Sequence, residues 1–417
     1  MTADNPVPKG WQEKPLKRVA QEVAVKEDTK PEGLTYVGLE NIEPWTGRLI
    51  GLDSPIEPTG QVSCFLKGDV LFGKLRPYLA KAIVAPFDGV GTSELLVLRP
   101  GKDTNPKFLN YLLLTPQFID LVNASTYGAK MPRANSDFIR SIPISIPDKE
   151  PQCKIANYLD EETAKIDRLI EEKEQLLKLL DERRQALITK AVTRGLDPNV
   201  PMKPSGLPWL GDIPSHWKLN RIANVFKEVV ENGNEDLPIL SVSIHRGVSD
   251  HEFGDEELER IVVRSEDKTK YKKVIPGDLV YNMMRAWQGG FGAVNVDGMV
   301  SPAYVVARPK VFLRTRFVEL LLRTPMATQE MKRCSRGIID FRLRLYWDEF
   351  KNIHVTLPPV SEQDSILDII DLQCSMIDDH IAITGNSIYL LRLRRNALIQ
   401  EAVTGQLKES LNDYPRA

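Results

Sequence analysis

Gly68-Asp69-Val70-Leu71-Phe72-Gly73-Lys74 fills the first seven positions of a phosphate-binding loop, but Leu75 stands where a Ser or Thr must reach magnesium. The apolar Val70–Phe72 run reads as the strand itself, and the later Tyr281-Asn282-Met283 abolishes the pattern in its second copy. No nucleotide site is expected. Histidine occurs only at 216, 245, 251, 354 and 380, so a centre common to both halves cannot use imidazole as base or metal ligand. No G-x-S-x-G, H-E-x-x-H or G-x-G-x-x-G string is present, nor the Asn-Pro-Pro-aromatic string of adenine methyltransferases. Asp160-Glu161-Glu162 and Glu171-Glu172 read as a solvated helix face rather than metal carboxylates. Cys64, Cys153, Cys334 and Cys374 stand alone, which argues against zinc clusters and disulfides and fits a cytoplasmic protein. The chain reads as non-catalytic, with no metal and no cofactor of its own.

Local positive charge remains. Between Lys67 and Pro86, Lys67, Lys74, Arg76 and Lys81 face only Asp69. Between Arg323 and Arg344, six basic residues outweigh Glu330 and Asp340. Such windows suit phosphate neutralisation, although charge alone equally describes a soluble surface. A glycine-started loop, Tyr127-Gly128-Ala129-Lys130-Met131-Pro132-Arg133-Ala134-Asn135, has the copy Arg336 to Arg344, matching Gly128 to Gly337 and Arg133 to Arg342. Arg and Lys suit phosphate or guanine, and Asn suits adenine. Candidate nucleic-acid contacts are therefore Lys74, Arg76, Lys81, Lys130, Arg133, Asn135, Arg285, Arg336, Arg342 and Arg344. Tyr78 and Trp287 fit base stacking or core packing, the second being the commoner role.

These residues lie in a duplicated frame. Arg183-Arg184-Gln185-Ala186-Leu187-Ile188 returns as Arg394-Arg395-Asn396-Ala397-Leu398-Ile399, and the 211-residue offset also pairs Gln152 with Gln363 and Asp167 with Asp378. Upstream the offset is 209, pairing Gly68-Asp69 with Gly277-Asp278, Arg99-Pro100 with Arg308-Pro309 and Thr115-Pro116 with Thr324-Pro325. A period this long means a duplicated domain, with a two-residue insertion between the blocks. A heptad seam runs through Ile166, Ile170, Leu177, Leu180 and Leu187, and through Ile377, Ile381, Ile388, Leu391 and Leu398. Each helix should span roughly 40 residues, about 60 Å at about 1.5 Å per residue. Gly385 predicts a local irregularity in the second. Internal two-fold symmetry predicts antiparallel packing of the pair.

The spacing predicts globular mixed α/β (α+β) blocks at 1–150 and 217–360 and long helices at 151–195 and 361–408. A Pro/Gly-rich extended linker is expected at 196–216 and a tail at 409–417. Strands are expected at Gly68–Phe72, Lys81–Ala85, Leu95–Leu98, Leu279–Asn282 and Tyr304–Ala307. Helices at Asn105–Leu114 and Thr315–Arg323 should stop at Thr-Pro. Hydrophobic content of 42%, charged content of 27% and a net charge of −2 are ordinary for a soluble protein. No apolar run of 18 residues predicts a membrane span.

Tyr36-Val37-Gly38-Leu39-Glu40-Asn41-Ile42, Gly68 to Leu79 and Lys130 to Asn135 resemble motifs of type I restriction–modification specificity subunits. Thr193-Arg194-Gly195-Leu196-Asp197-Pro198 and Gly211-Asp212-Ile213-Pro214-Ser215-His216-Trp217 resemble that family's central region. The resemblance implies two target-recognition domains held apart by antiparallel helices, each reading half of a bipartite site in double-stranded DNA. It also implies two methyltransferase subunits on the helical regions, which flip and methylate adenine from S-adenosylmethionine. Restriction subunits using ATP and magnesium would join that core. The second copy departs from the pattern, with Met283-Met284 for Lys-Leu and Asp340-Phe341 for Met-Pro. The competing reading is a coiled-coil assembly scaffold without DNA readout.

Overall fold

The computed structural model describes residues 7–52, 58, 60–234, 236–244, 247–251, 270–337 and 342–407. Asp340, Phe341 and the expected tail lie outside the described residues. The chain forms two compact units. One comprises residues up to Glu174 together with those from Gly385 onward, and the other runs from Gln175 to Thr384.

The first unit contains β1 (Trp11–Pro15), β2 (Ala20–Glu22), β3 (Lys26–Glu27), β4 (Thr35–Val37), β5 (Val62–Phe65), β6 (Val70–Gly73), β7 (Ala82–Val84), β8 (Gly89–Thr92), β9 (Leu95–Pro100) and β10 (Pro143–Pro147). One antiparallel sheet has the order β2-β9-β6-β7, and a second, β3-β5-β8-β4, includes the parallel pair β4–β8. Helices α1 (Pro106–Leu113), α2 (Pro116–Ala124) and α3 (Ser136–Ser141) pack beside them, and α4 (Lys149–Arg194) follows. Thr115-Pro116 does more than stop α1. Thr115 Oγ1 accepts from the Phe118 amide and Pro116 occupies the first turn of α2, where its missing N–H costs nothing.

The second unit repeats this plan. The hairpin β11 (Met202–Pro204) and β12 (Asp212–Pro214) precedes β13 (Lys218–Arg221), α5 (Ile222–Val225) and β14 (Phe226–Glu228). After the pairs β15 (Val242–Ser243) and β16 (Gly247–Val248) come β17 (Lys272–Val274), β18 (Leu279–Asn282), β19 (Phe291–Ala293), β20 (Gly298–Val300) and β21 (Tyr304–Pro309). Then follow α6 (Thr315–Leu322), α7 (Pro325–Cys334), α8 (Trp347–Phe350), β22 (His354–Leu357) and α9 (Val360–Val403). The sheet β14-β21-β18-β19 copies β2-β9-β6-β7, and α6 and α7 sit at the same offset of 209 from α1 and α2. The segment expected as an extended linker instead forms the β11–β12 hairpin. Its Leu210 and Ile213 are buried in the second core, because the apolar residues between the prolines need cover.

The helices have 46 and 44 residues, about 69 and 66 Å at about 1.5 Å per residue. The second runs unbroken through the exposed Gly385, contrary to the expected irregularity, because one glycine costs only about 1 kcal/mol against a packed helix. Each unit takes the start of one helix and the end of the other. In the first, Ile399, Ala402 and Val403 join the core of Ile155, Ala156 and Leu159. In the second, Ala191 and Val192 join Ile366 and Ile370. Burying an Ile, Leu or Val side chain of this kind contributes about 1.5–3 kcal/mol, so these helix ends are part of each domain's core. Of the seam residues, Ile166, Ile170, Ile377 and Ile388 are buried, while Leu177, Leu180, Leu187, Ile381, Leu391 and Leu398 are half-buried.

Ion pairs give the direction of packing. Asp167 pairs with Arg395 and Glu174 with Arg392, so within the first unit the two helices run antiparallel. The duplicated partners Arg184 and Asp378 pair at 3.2 Å in the second unit. Each helix end is tied to its own domain by a repeated device. Gln152 Oε1 accepts from the Asn105 amide at 2.7 Å while its Nε2 donates to Asp103 and Pro147 carbonyls. Gln363 accepts from the Arg314 amide at 2.8 Å and donates to the Pro358 carbonyl.

Candidate nucleic-acid interface

At one end of the first sheet, β6 runs out at Gly73 and β9 begins at Leu95. The Lys74 amide donates to the Glu94 carbonyl at 2.9 Å, which joins the two strand ends. The loop from Ser125 to Asn135 is laid across them. Tyr127 and Arg133 exchange two backbone hydrogen bonds of 3.1 Å, the Arg76 amide donates to the Pro132 carbonyl, and the Ala134 amide donates to the Lys74 carbonyl. Arg76 is left-handed at φ 51° and ψ 60°, a conformation that costs an L-residue roughly 1–2 kcal/mol. The Pro132 bond and the Pro77–Leu79 turn hold it there. Around this frame Arg76, Tyr78, Tyr127, Lys130, Met131 and Arg133 are exposed, so cationic and flat apolar side chains share one surface.

The candidate cations are not equivalent. Lys74 is half-buried, and burial pushes its ammonium below the ordinary lysine value, opposed by Glu94. Lys81 is lowered by burial too, and its Nζ is committed to the Leu39 carbonyl at 2.5 Å. Arg133 meets Glu94 through Nη2 at 2.8 Å and Nε at 3.0 Å. Asn135 is a helix cap: its Oδ1 accepts from the Asp137 and Phe138 amides, so the acceptor needed for two-pronged adenine contact is already used.

In the second unit Arg336 and Arg344 exchange the two backbone bonds, as Tyr127 and Arg133 do. The Leu345 amide then donates to the Met283 carbonyl, as Ala134 does to Lys74. The structural counterpart of Arg133 is therefore Arg344, not Arg342. The two-residue insertion lies inside the loop, where dissimilar side chains hide the shift. An open cavity of about 500 Å³ is lined by Arg336, Arg342, Arg344, Tyr346, Asp348 and Glu349. Arg336 pairs with Glu349, and among the described residues Arg344 Nη2 reaches Met284 Sδ at 3.8 Å. Arg285 donates to Gln288 at 2.7 Å. Trp287 packs, with its Nε1 donating to the Met284 carbonyl and Lys332 Nζ 5.4 Å above its ring.

Other repeated charges are structural. Asp69 and Asp278 are buried, and each takes a two-pronged contact from Arg99 or Arg308 and a backbone amide from Leu66 or Ile275. Asp160 pairs with Lys107, and Asp371 with Arg316, tying α1 and α6 to the long helices. The sequence displays these residues but not their partners. Glu94, the partner of Arg133, was missed, and its one signal was that Thr92-Ser93-Glu94 becomes Ser301-Pro302-Ala303 in the copy. Among the described residues no helix is long and apolar enough to cross a membrane.

Two mixed α/β domains of one plan, each completed by the start of one long helix and the end of the other, define a class of internally duplicated, helix-paired proteins. Residues 8–179 match the family model for the type I restriction modification DNA specificity domain. Over that stretch the chain is similar to the specificity subunits of type I restriction–modification systems. It is 26% identical over 158 residues, 37% of its length, to the Escherichia coli type I restriction enzyme EcoDI specificity subunit, and 24% identical over 317 residues, 73% of its length, to the EcoBI subunit of the same organism. The matched stretches span 35% and 66% of those proteins. Its fold is similar to a chain solved in a study of complex assembly and conformational transition of the type I R-M system, with TM-score 0.68, 17% identity and coverage of 96% and 100%. The HsdS subunit from Thermoanaerobacter tengcongensis follows at TM-score 0.50 and 16% identity, covering 97% and 99%.

Proposed function

We propose that this chain is the DNA-specificity component of a type I restriction–modification assembly. Its two units would read the two halves of an asymmetric, bipartite site in double-stranded DNA. The observation that carries this reading is the repeated loop frame bearing different side chains: Arg76, Tyr127, Lys130 and Arg133 in one unit, Arg285, Arg336, Arg342 and Arg344 in the other. A shared frame with altered side chains supports two readers of different sequences. The more strictly repeated helix seam supports attachment of two like methyltransferase subunits, with restriction subunits joining them. In this proposal S-adenosylmethionine, ATP and magnesium are used by those partners, and this chain supplies recognition rather than chemistry.

The test is binding of the chain, with its methyltransferase partner, to specific and scrambled duplexes across a salt series. Affinity should fall steeply with salt for both and differ between them by about a thousandfold or more. Binding that ignores salt, or equal binding to both duplexes, would leave the assembly-scaffold reading standing instead.

A further inference from the structure

We infer that Arg133 reads a guanine in the first half-site and that Glu94 is the positioning residue that aims it, an assignment that rests on the DNA-reading function proposed above. Glu94 grips the guanidinium from the side, through Nε at 3.0 and 3.2 Å and Nη2 at 2.8 Å. The Arg133 guanidinium has no further hydrogen-bond partner among the described residues, so its Nη1 and the outer hydrogen of Nη2 form a free, flat, two-donor edge. Guanine O6 and N7 in the major groove are the acceptor pair that such an edge fits. The backbone cannot swing the arginine away, because Tyr127 and Ala134 bracket it with hydrogen bonds.

An acid on a surface that meets phosphates is costly to non-specific binding, so Glu94 calls for a reason. The turn does not supply one. In the second unit Ala303 occupies the Glu94 position and donates its amide to Ser301 Oγ at 3.4 Å, just as Glu94 does to Thr92 Oγ1 at 3.4 Å. The fold forms this turn without the carboxylate. The acid is present where Arg133 projects and missing where Arg344 lies against Met284. In the second unit's loop the carboxylate-held arginine is Arg336, on Glu349, and among the described residues Arg344, the counterpart of Arg133, is not held by a carboxylate.

The experiment uses the full chain with its methyltransferase partner and a duplex library randomised through both half-sites. Wild-type protein should select guanine at one position of the first half-site. Arg133→Ala and Arg133→Lys should each relax that position by about 10- to 100-fold and leave the others unchanged. Glu94→Gln should relax the same position while tightening binding to unrelated duplex, an increase that mere loss of structure does not produce. The assignment is overturned if Arg133→Ala weakens all sequences alike, lowers the salt slope by about one and is rescued by Arg133→Lys, since that describes a phosphate contact. It is also overturned if the relaxed position is not guanine, or if Glu94→Gln changes nothing. A wild-type protein with no preference at any position would instead refute the DNA-reading function itself.

Discussion

Arg395→Met should destabilise the first unit far more than its duplicate, Arg184→Met, destabilises the second. Arg395 is 4% exposed; it pairs with Asp167 at 2.8 Å and donates to the Trp45 and Thr46 carbonyls at 2.8 and 3.2 Å. Removing the guanidinium leaves a nearly buried carboxylate and two carbonyls without donors, a loss of about 3–5 kcal/mol. Arg184 faces Asp378 at 3.2 Å with their side chains 41% and 50% exposed, so its loss costs about 0–1 kcal/mol. Hydrogen exchange is the suitable assay, because a chain of two units need not unfold in one step. Amides of residues 155–170 and of the segment around Trp45 should open at least a hundred times more often in Arg395→Met, from about 1.4 kcal/mol per tenfold. Arg184→Met should change residues 175–194 by less than about tenfold. Equal effects at the two sites would refute the argument that burial, rather than the pair itself, decides the cost.

Gln152→Ala and Gln363→Ala should each lower the melting temperature of their own unit through about 1–3 kcal/mol for the orphaned backbone groups, and a calorimetric scan should register both losses. Lys74→Met should stabilise the first unit at neutral pH. Burial lowers the Lys74 pKa in the folded state, so the unfolded chain binds the proton more tightly and wild-type stability rises with pH between the lowered value and about 10.4. The advantage of Lys74→Met should therefore shrink as pH climbs through that window in a denaturant titration series. Replacing residues 1–150 by another reader should change one half-site only, as read by mapping methylated adenines after co-expression. If the long helices set the distance between the two half-sites, adding a heptad to both should lengthen the unread stretch between them by roughly 10 Å, about three base pairs, and unchanged methylation of the original site would refute that.

The frame was legible in the sequence because its cues are local or periodic. Gly-Asp before a strand, Arg-Pro after one, Thr-Pro between helices and a heptad seam each follow from backbone chemistry within a few residues. The partners were not legible, since Asp69 meets Arg99 across 30 residues and Asp167 meets Arg395 across 228. Asn135 matched a base-reading chemistry and proved to be a cap, because the same acceptor serves both tasks and α3 lies next in the chain. The register of the second loop failed for another reason. With Arg336, Arg342 and Arg344 close together, side-chain identity cannot locate an insertion that two backbone hydrogen bonds locate at once.

Each long helix ends at a glycine of positive φ packed under a Pro-x-x-Trp turn. Gly195 lies beside Pro214 and Trp217, and Gly405 beside Pro8 and Trp11, with the Trp amide donating to the Pro carbonyl at 3.0 Å in both turns. In the second unit the chain passes covalently from glycine to tryptophan, whereas in the first the glycine and the tryptophan come from segments far apart in the sequence. A rearranged chain in which a linker joins Gly405 to Pro8 and the backbone opens at the exposed Asp197–Asn199 turn should keep both turns, because each is held by glycine packing under tryptophan rather than by chain connectivity.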